Sequence, residues 1–130
     1  MLLKKLPEVE SDVERRIECA SVYYEGLKNL ENIIIAPLRT DKTHTYIYYP
    51  VSVIDKYDLM KYMILNGRDV AVQHAPNTAD LNAYKDYHID CPIARQAFKG
   101  TIMLPTYPSY GTKEASKNIE VIKQYLDTAT

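Results

Sequence analysis

Three histidines and two cysteines carry most of the reactive chemistry in this chain, and their spacing decides what they can do. His88 and Cys91 stand three apart, as zinc ligands can. A structural zinc site needs four ligands, usually in two such pairs, and Cys19, His44 and His74 form no second pair. Cys91 with His74 could serve as a nucleophile and its base, and Cys91 directly precedes a helix start, a place that lowers a thiol pKa. No oxyanion-hole pattern and no third orienting group accompany them, and a cysteine there is more often a small buried cap. No metal ligand and no catalytic residue is assigned on these grounds. His74 stands apart. It follows the strand-like Val70 to Gln73, and Pro76, Asn77 and Thr78 then break the regular structure. Loops at strand ends can carry function without bearing the core, so His74 is expected to face solvent or a cleft. The plain alternative is a histidine bonded to a loop carbonyl.

Absences narrow the field further. Glycine occurs four times and forms no phosphate-cradling loop, which argues against a self-contained nucleotide motif. The net charge of −1 draws the chain toward neither nucleic acid nor anionic lipid. Leu2 and Leu3 make too short an apolar run for a signal peptide or a membrane span. Two cysteines do not make a disulfide framework, so the expectation is a cytoplasmic protein with both thiols reduced. Twelve tyrosines and no tryptophan imply many half-buried rings whose hydroxyls need partners.

The elements that must hold these residues follow from patterning. The 130 residues suffice for one domain with a real core. Residues 1–10 read as a lead-in, and 11–127 as a single small α/β domain. Ser11 with Glu14 is a capping-box pattern, and Val13, Ile17, Ala20, Tyr24 and Leu27 fall on one helical face. Ile33 to Ile35, closed by Pro37, predicts an extended packing segment rather than a paired central strand. Thr43 to Val53 is β-branched and aromatic and predicts a strand, with Pro50 pointing to an edge or a bulge. The Tyr46, Tyr48 and Tyr49 group is strand packing. Asp55 caps a helix over 56–66 that Gly67 stops. Val70 to Gln73 is the second strand, and Leu81 and Tyr84 suit a short helical turn. Pro92 opens a helix whose apolar side is Ile93, Ala94, Ala97 and Phe98. Thr101 to Leu104 is the third strand, and Thr112 caps a last helix with Ala115, Ile119, Ile122 and Leu126 inward. The expected fold is α+β, a small sheet of about three strands covered by helices.

Three of these segments, taken together, resemble a known family. Arg68 to Tyr84 (Arg-Asp-Val-Ala-Val-Gln-His-Ala-Pro-Asn-Thr-Ala-Asp-Leu-Asn-Ala-Tyr) is similar to the small-domain segment of DegT/StrS-type sugar aminotransferases, fold-type I enzymes that use pyridoxal phosphate (PLP). Asp90 to Arg95 resembles that family's Cys-Pro-x-Ala helix start, and Met103 to Pro108 its Leu-Pro-x-Tyr/His-Pro strand end. Arg15 to Tyr24 is similar to the helix that opens the domain, and the match spans about residues 10 to 127. The resemblance implies a C-terminal small domain that closes over a PLP site built mainly by a large domain and forms part of a nucleotide-sugar pocket. By position, His74 and Asn77 would face that pocket. Many relatives carry a second histidine a few residues on, and Thr78 to Ala83 has none. PLP chemistry needs a Schiff-base lysine and an acid for the pyridinium nitrogen, and in the family both lie in the large domain. The lysines here fall on expected solvent faces without a Ser-x-x-x-Lys context. The chain is therefore expected to hold no cofactor alone, and to take PLP only when a large domain completes it. The implied partners are that large domain, a nucleotide sugar and a second copy in a homodimer, through an apolar face to which Met1 to Leu6 and Tyr23-Tyr24 contribute. The alternative is a free-standing, non-catalytic binding module.

Overall fold

The computed structural model describes residues 6–39, 41, 43–72 and 76–128. A 3-10 turn over Leu6–Glu8 runs straight into helix α1, Val9–Leu27. The helix thus starts ahead of Ser11, and residues 6–10 are not a loose lead-in. Pro7 is tolerated in a first turn because no N–H is needed there, and Glu10 and Asp12 complement the positive end of the helix dipole. The buried stripe is Cys19, Ala20, Tyr23 and Leu27. It is rotated from the expected face, so that Tyr23 is inside and Tyr24 only half-buried.

Ile33–Ile35 is a strand, β1, which pairs with β2, Tyr48–Val53. Pro37 did not prevent pairing because β1 is an edge strand and ends before it. The second strand begins at Tyr48 and not at Thr43, because Tyr46 takes φ +46°, which no strand contains. Pro50 sits in an interior strand with an unbroken register, so it marks no bulge, and its own position is a local edge. It lies past the last β1 pair, Ile35 with Val51, where β2 has a neighbour on one flank alone. Helix α2, Lys56–Leu65, is capped as expected: the Asp55 carboxylate accepts from the Tyr57 and Asp58 N–H groups at 3.1 and 3.0 Å. Gly67, at φ +68°, turns the chain away after it.

Strand β3 is Ala71–Val72, followed past the loop by helix α3, Pro92–Gly100, strand β4, Thr101–Pro105, and helix α4, Gly111–Thr128. The last helix starts at Gly111, so Thr112 lies inside it. The sheet is antiparallel throughout, in the order β1-β2-β4-β3. It is an α+β fold with four strands in place of about three, the addition being β1.

Alternation along the strands separates two faces. Tyr49, Val51, Val53, Ile102, Leu104 and Val72 point into a core closed by α1, α2 and α4. Tyr48, Pro50, Ser52, Thr101 and Met103 point the other way, where α3 meets the sheet at Gly100 against Ser52 and Val53. The apolar side of α3 does not face the core: Ile93, Ala94 and Ala97 are exposed and Phe98 is half-buried. Among the described residues of α3 only Gly100 is buried.

Candidate functional site

The loop from Pro76 to Cys91 leaves β3 and returns at the head of α3. The strand that feeds it is held by side chains from two of the motifs. Arg68 Nη1 pairs with Glu114 Oε2 on α4 at 2.8 Å, and Lys117 Nζ holds the other Glu114 oxygen at 2.6 Å. The Tyr107 hydroxyl donates to Asp69 Oδ2 at 3.1 Å. Tyr107 belongs to the Leu-Pro-Thr-Tyr-Pro end of β4, so two segments 38 residues apart in sequence are tied together just ahead of the loop.

The loop itself puts no side chain in the core. Its backbone folds into 3-10 turns at Thr78–Asp80 and Asn82–Tyr87. Polar contacts hold it. Arg95, on α3, donates from Nε to Asp80 Oδ2 at 2.8 Å and from Nη2 to Asp80 Oδ1 at 2.6 Å. The same Nη2 donates to Asp90 Oδ1 at 2.8 Å. Asn77 Nδ2 donates to Asp80 Oδ2 at 3.0 Å, and His88 Nδ1 donates to the Ala79 carbonyl at 2.8 Å. Arg95, and next Asn77, hold the Asp80 carboxyl well down, at about 2. A depressed carboxyl contributes in full above its ordinary value of 3.8, and the contribution fades as pH falls through about 2. Carbon-detected NMR of the Asp80 carboxyl is expected to show a midpoint near that lower value; a midpoint in the ordinary carboxylate range would mean that the Arg95 bonds do not persist in solution.

Of the two residues expected to face a ligand, His74 lies outside the described residues. Asn77 is half-buried at the start of the loop, bonded to Asp80. Asp80, Asp90 and Arg95, which organise the loop, lie within two of the segments that carry the resemblance, but nothing in the sequence pairs them, since a bond across fifteen residues of irregular chain has no periodicity. Cys91 stands at the N-cap of α3 with its thiol turned to the Ile89 carbonyl at 3.4 Å. Cys19 is buried, donates to the Gly111 carbonyl at 3.4 Å, and is pushed up to about 11 by burial, with Glu18 adding to the shift. No cluster of metal-binding side chains occurs among the described residues. No helix among them is long and apolar enough to cross a membrane.

Lys56 is the one buried lysine among the described residues, at 2 % exposure. Its ammonium donates to the Phe98 carbonyl and lies 4.2 Å from the centre of the Phe98 ring, and burial pushes its pKa down. It joins α2 to α3 and is not presented to a ligand. Tyr23, expected on an open apolar face, is fully buried. Leu6, expected on the same face, is exposed at 61 %, and residues 1–5 lie outside the described residues; other large exposed apolar groups are Ile54 at 89 % and Ile93 and Tyr87 at 83 %.

The DegT/DnrJ/EryC1/StrS aminotransferase family model matches residues 1–123. No curated protein matches the chain. Among solved structures, the aminotransferase TlmJ from Streptoalloteichus hindustanus is similar at 23 % identity with a TM-score of 0.83, over 97 % of this chain and 35 % of its own. The sugar aminotransferase CalS13 from Micromonospora echinospora is similar at 18 % identity and a TM-score of 0.83, over 94 % of this chain and 33 % of its own. NtdA from Bacillus subtilis, solved with bound cofactor PMP, is similar at 20 % identity and a TM-score of 0.73, over 87 % of this chain and 28 % of its own. The chain thus spans about a third of the length of the solved structures it matches.

Proposed function

Because the chain belongs to the DegT/DnrJ/EryC1/StrS aminotransferase family, we propose that it serves as the C-terminal small domain of a PLP-dependent nucleotide-sugar aminotransferase. In this reading it furnishes part of the sugar pocket beside a large domain that holds the cofactor. One observation carries the proposal: the family match runs almost the length of the chain, while the fold it matches occupies only 35 % of TlmJ. His74 and Asn77 are the pocket-facing residues, residues 11–127 the structural unit, and the active assembly a cytoplasmic homodimer.

The described residues do not fit PLP by themselves. Lys56 is sequestered by Phe98, and the other described lysines stand exposed on the surface. When bound in a completed enzyme, PLP supplies the electron sink for amino transfer. This chain's part is to bind and orient the sugar.

Titrating the isotopically labelled chain with UDP-glucose and dTDP-glucose tests the reading. Amide shifts are expected to concentrate in residues 74–91, Asn77 among them. Shifts confined to the outer surfaces of α1 and α4 would remove the pocket assignment. Mixing the chain with PLP and reducing with borohydride is expected to give scattered, substoichiometric lysine modification. One lysine modified stoichiometrically would show a cofactor site that needs no large domain.

A further inference from the structure

We infer that Arg95 is a positioning residue: through Asp80 it turns the Asn77 side chain so that the amide nitrogen is held on Asp80 and the carbonyl oxygen is left open to a ligand. The inference rests on the reading of Asn77 as a pocket residue. It adds which atom is presented, what sets it, and therefore which ligand group it takes.

The loop lacks apolar anchors. Residues 76–91 bury no side chain, so their conformation has to come from polar contacts. These converge on one guanidinium. Arg95 stands on regular helix, and its planar fork engages both Asp80 oxygens while Nη2 also reaches Asp90. Asp80 and Asp90 flank the second 3-10 turn, so one side chain closes the loop across its base. A lysine, a single point charge, could not hold both carboxylates in that geometry.

The fixed carboxylate then dictates the Asn77 amide. An ionised carboxylate only accepts, so the group facing Asp80 Oδ2 at 3.0 Å must be the NH2. Flipping the amide would set two acceptor oxygens against each other. One hydrogen of the NH2 is thereby engaged, and Asn77 Oδ1 has no donor among the described residues. An acceptor so placed selects a hydrogen-bond donor on the ligand, and the hydroxyls of a nucleotide sugar are such donors.

The test uses the whole chain with Arg95→Ala, Arg95→Lys and Asp80→Asn. Hydrogen exchange of amides 77–91 is expected to rise about tenfold or more in Arg95→Ala, with the α1 and α4 amides and the thermal midpoint unmoved. Arg95→Lys should fall between Arg95→Ala and the native chain. The Asn77 side-chain NH2 resonances are expected to shift in both Arg95→Ala and Asp80→Asn, a signature that loss of overall stability would not produce. Unchanged loop exchange in Arg95→Ala overturns the clamp, as does a rise spread evenly over the core helices. Unmoved Asn77 resonances overturn the orientation. UDP-glucose then separates the two layers. Binding by the native chain that weakens in Arg95→Ala upholds the whole proposal. A native chain that binds none overturns the pocket reading and the ligand half of this one, while the exchange result still decides the clamp.

Discussion

Replacing Tyr23 with alanine is expected to cost about 3–5 kcal/mol of stability, the range for deleting a large buried aromatic ring. The ring is fully buried, stacked on Tyr49 with centroids 5.5 Å apart. Its hydroxyl also sits in a chain of bonds. Tyr23 donates to the Pro105 carbonyl at 3.1 Å and accepts from Asn118 Nδ2 at 2.9 Å, and Asn118 Oδ1 accepts from the Tyr110 hydroxyl at 3.0 Å. Asn118 is itself fully buried, so losing its acceptor strands an amide in the core. Tyr23→Phe keeps the ring and removes only the hydroxyl with its bonds to Asn118 and Pro105, and is expected to cost about 1–3 kcal/mol. Urea unfolding of the two variants separates ring from hydroxyl. A Tyr23→Phe variant as stable as the native chain would show that water replaces the lost hydroxyl and that the network contributes little.

The second large effect is expected at Gly100. A Cβ built there meets Ser52 Oγ at 2.6 Å and the Val53 carbonyl oxygen at 2.7 Å. Serine can rotate, but the carbonyl belongs to an interior strand and can move only if the sheet does. Gly100→Ala is therefore expected to destabilise by about 1–3 kcal/mol through overpacking, and Gly100→Val by more. Gly67 is the control. A Cβ there meets open space, and its cost comes from φ +68° alone, about 1–2 kcal/mol in Gly67→Ala. The two glycines differ in a way a double variant with Ser52→Ala can expose. Removing the serine hydroxyl should relieve part of the Gly100 penalty and none of the Gly67 penalty. Equal effects of Ser52→Ala on both would rule out the steric account.

What the sequence disclosed follows how local the cause is. The Asp55 cap and the Gly67 stop were readable because each acts within a turn of its own residue. The third-strand residues Ile102 and Leu104 were readable because alternation is a local pattern. The start of β2 was misread at Thr43, since β-branched composition gives no sign that Tyr46 will adopt a left-handed backbone. The α3 stripe is legible but its destination is not: periodicity shows that Ile93 and Ala97 share a side, and not what that side meets. β1 was discounted for Pro37, although a proline just beyond a short edge strand breaks no ladder. The candidate loop stands out because Pro76, Asn77 and Thr78 break the chain at a strand end, and a pocket role for Asn77 is what the resemblance implies. The Arg95 hub was beyond reach because it joins residues that no repeat or spacing connects.

The strand order also governs how the chain can assemble as it emerges during synthesis. β4, the last strand in the sequence, occupies the slot between β2 and β3. A growing chain that has passed β3 holds β1 and β2 as a pair and β3 with nothing beside it. β3 gains a neighbour only once residues 102 and 103 are free to insert. The core face stays open longer still, because Ala115, Ile119, Ile122 and Tyr125 arrive with the final helix. Closure of this domain is thus a late, nearly all-at-once event, with unpaired strand edges exposed to other chains until it happens.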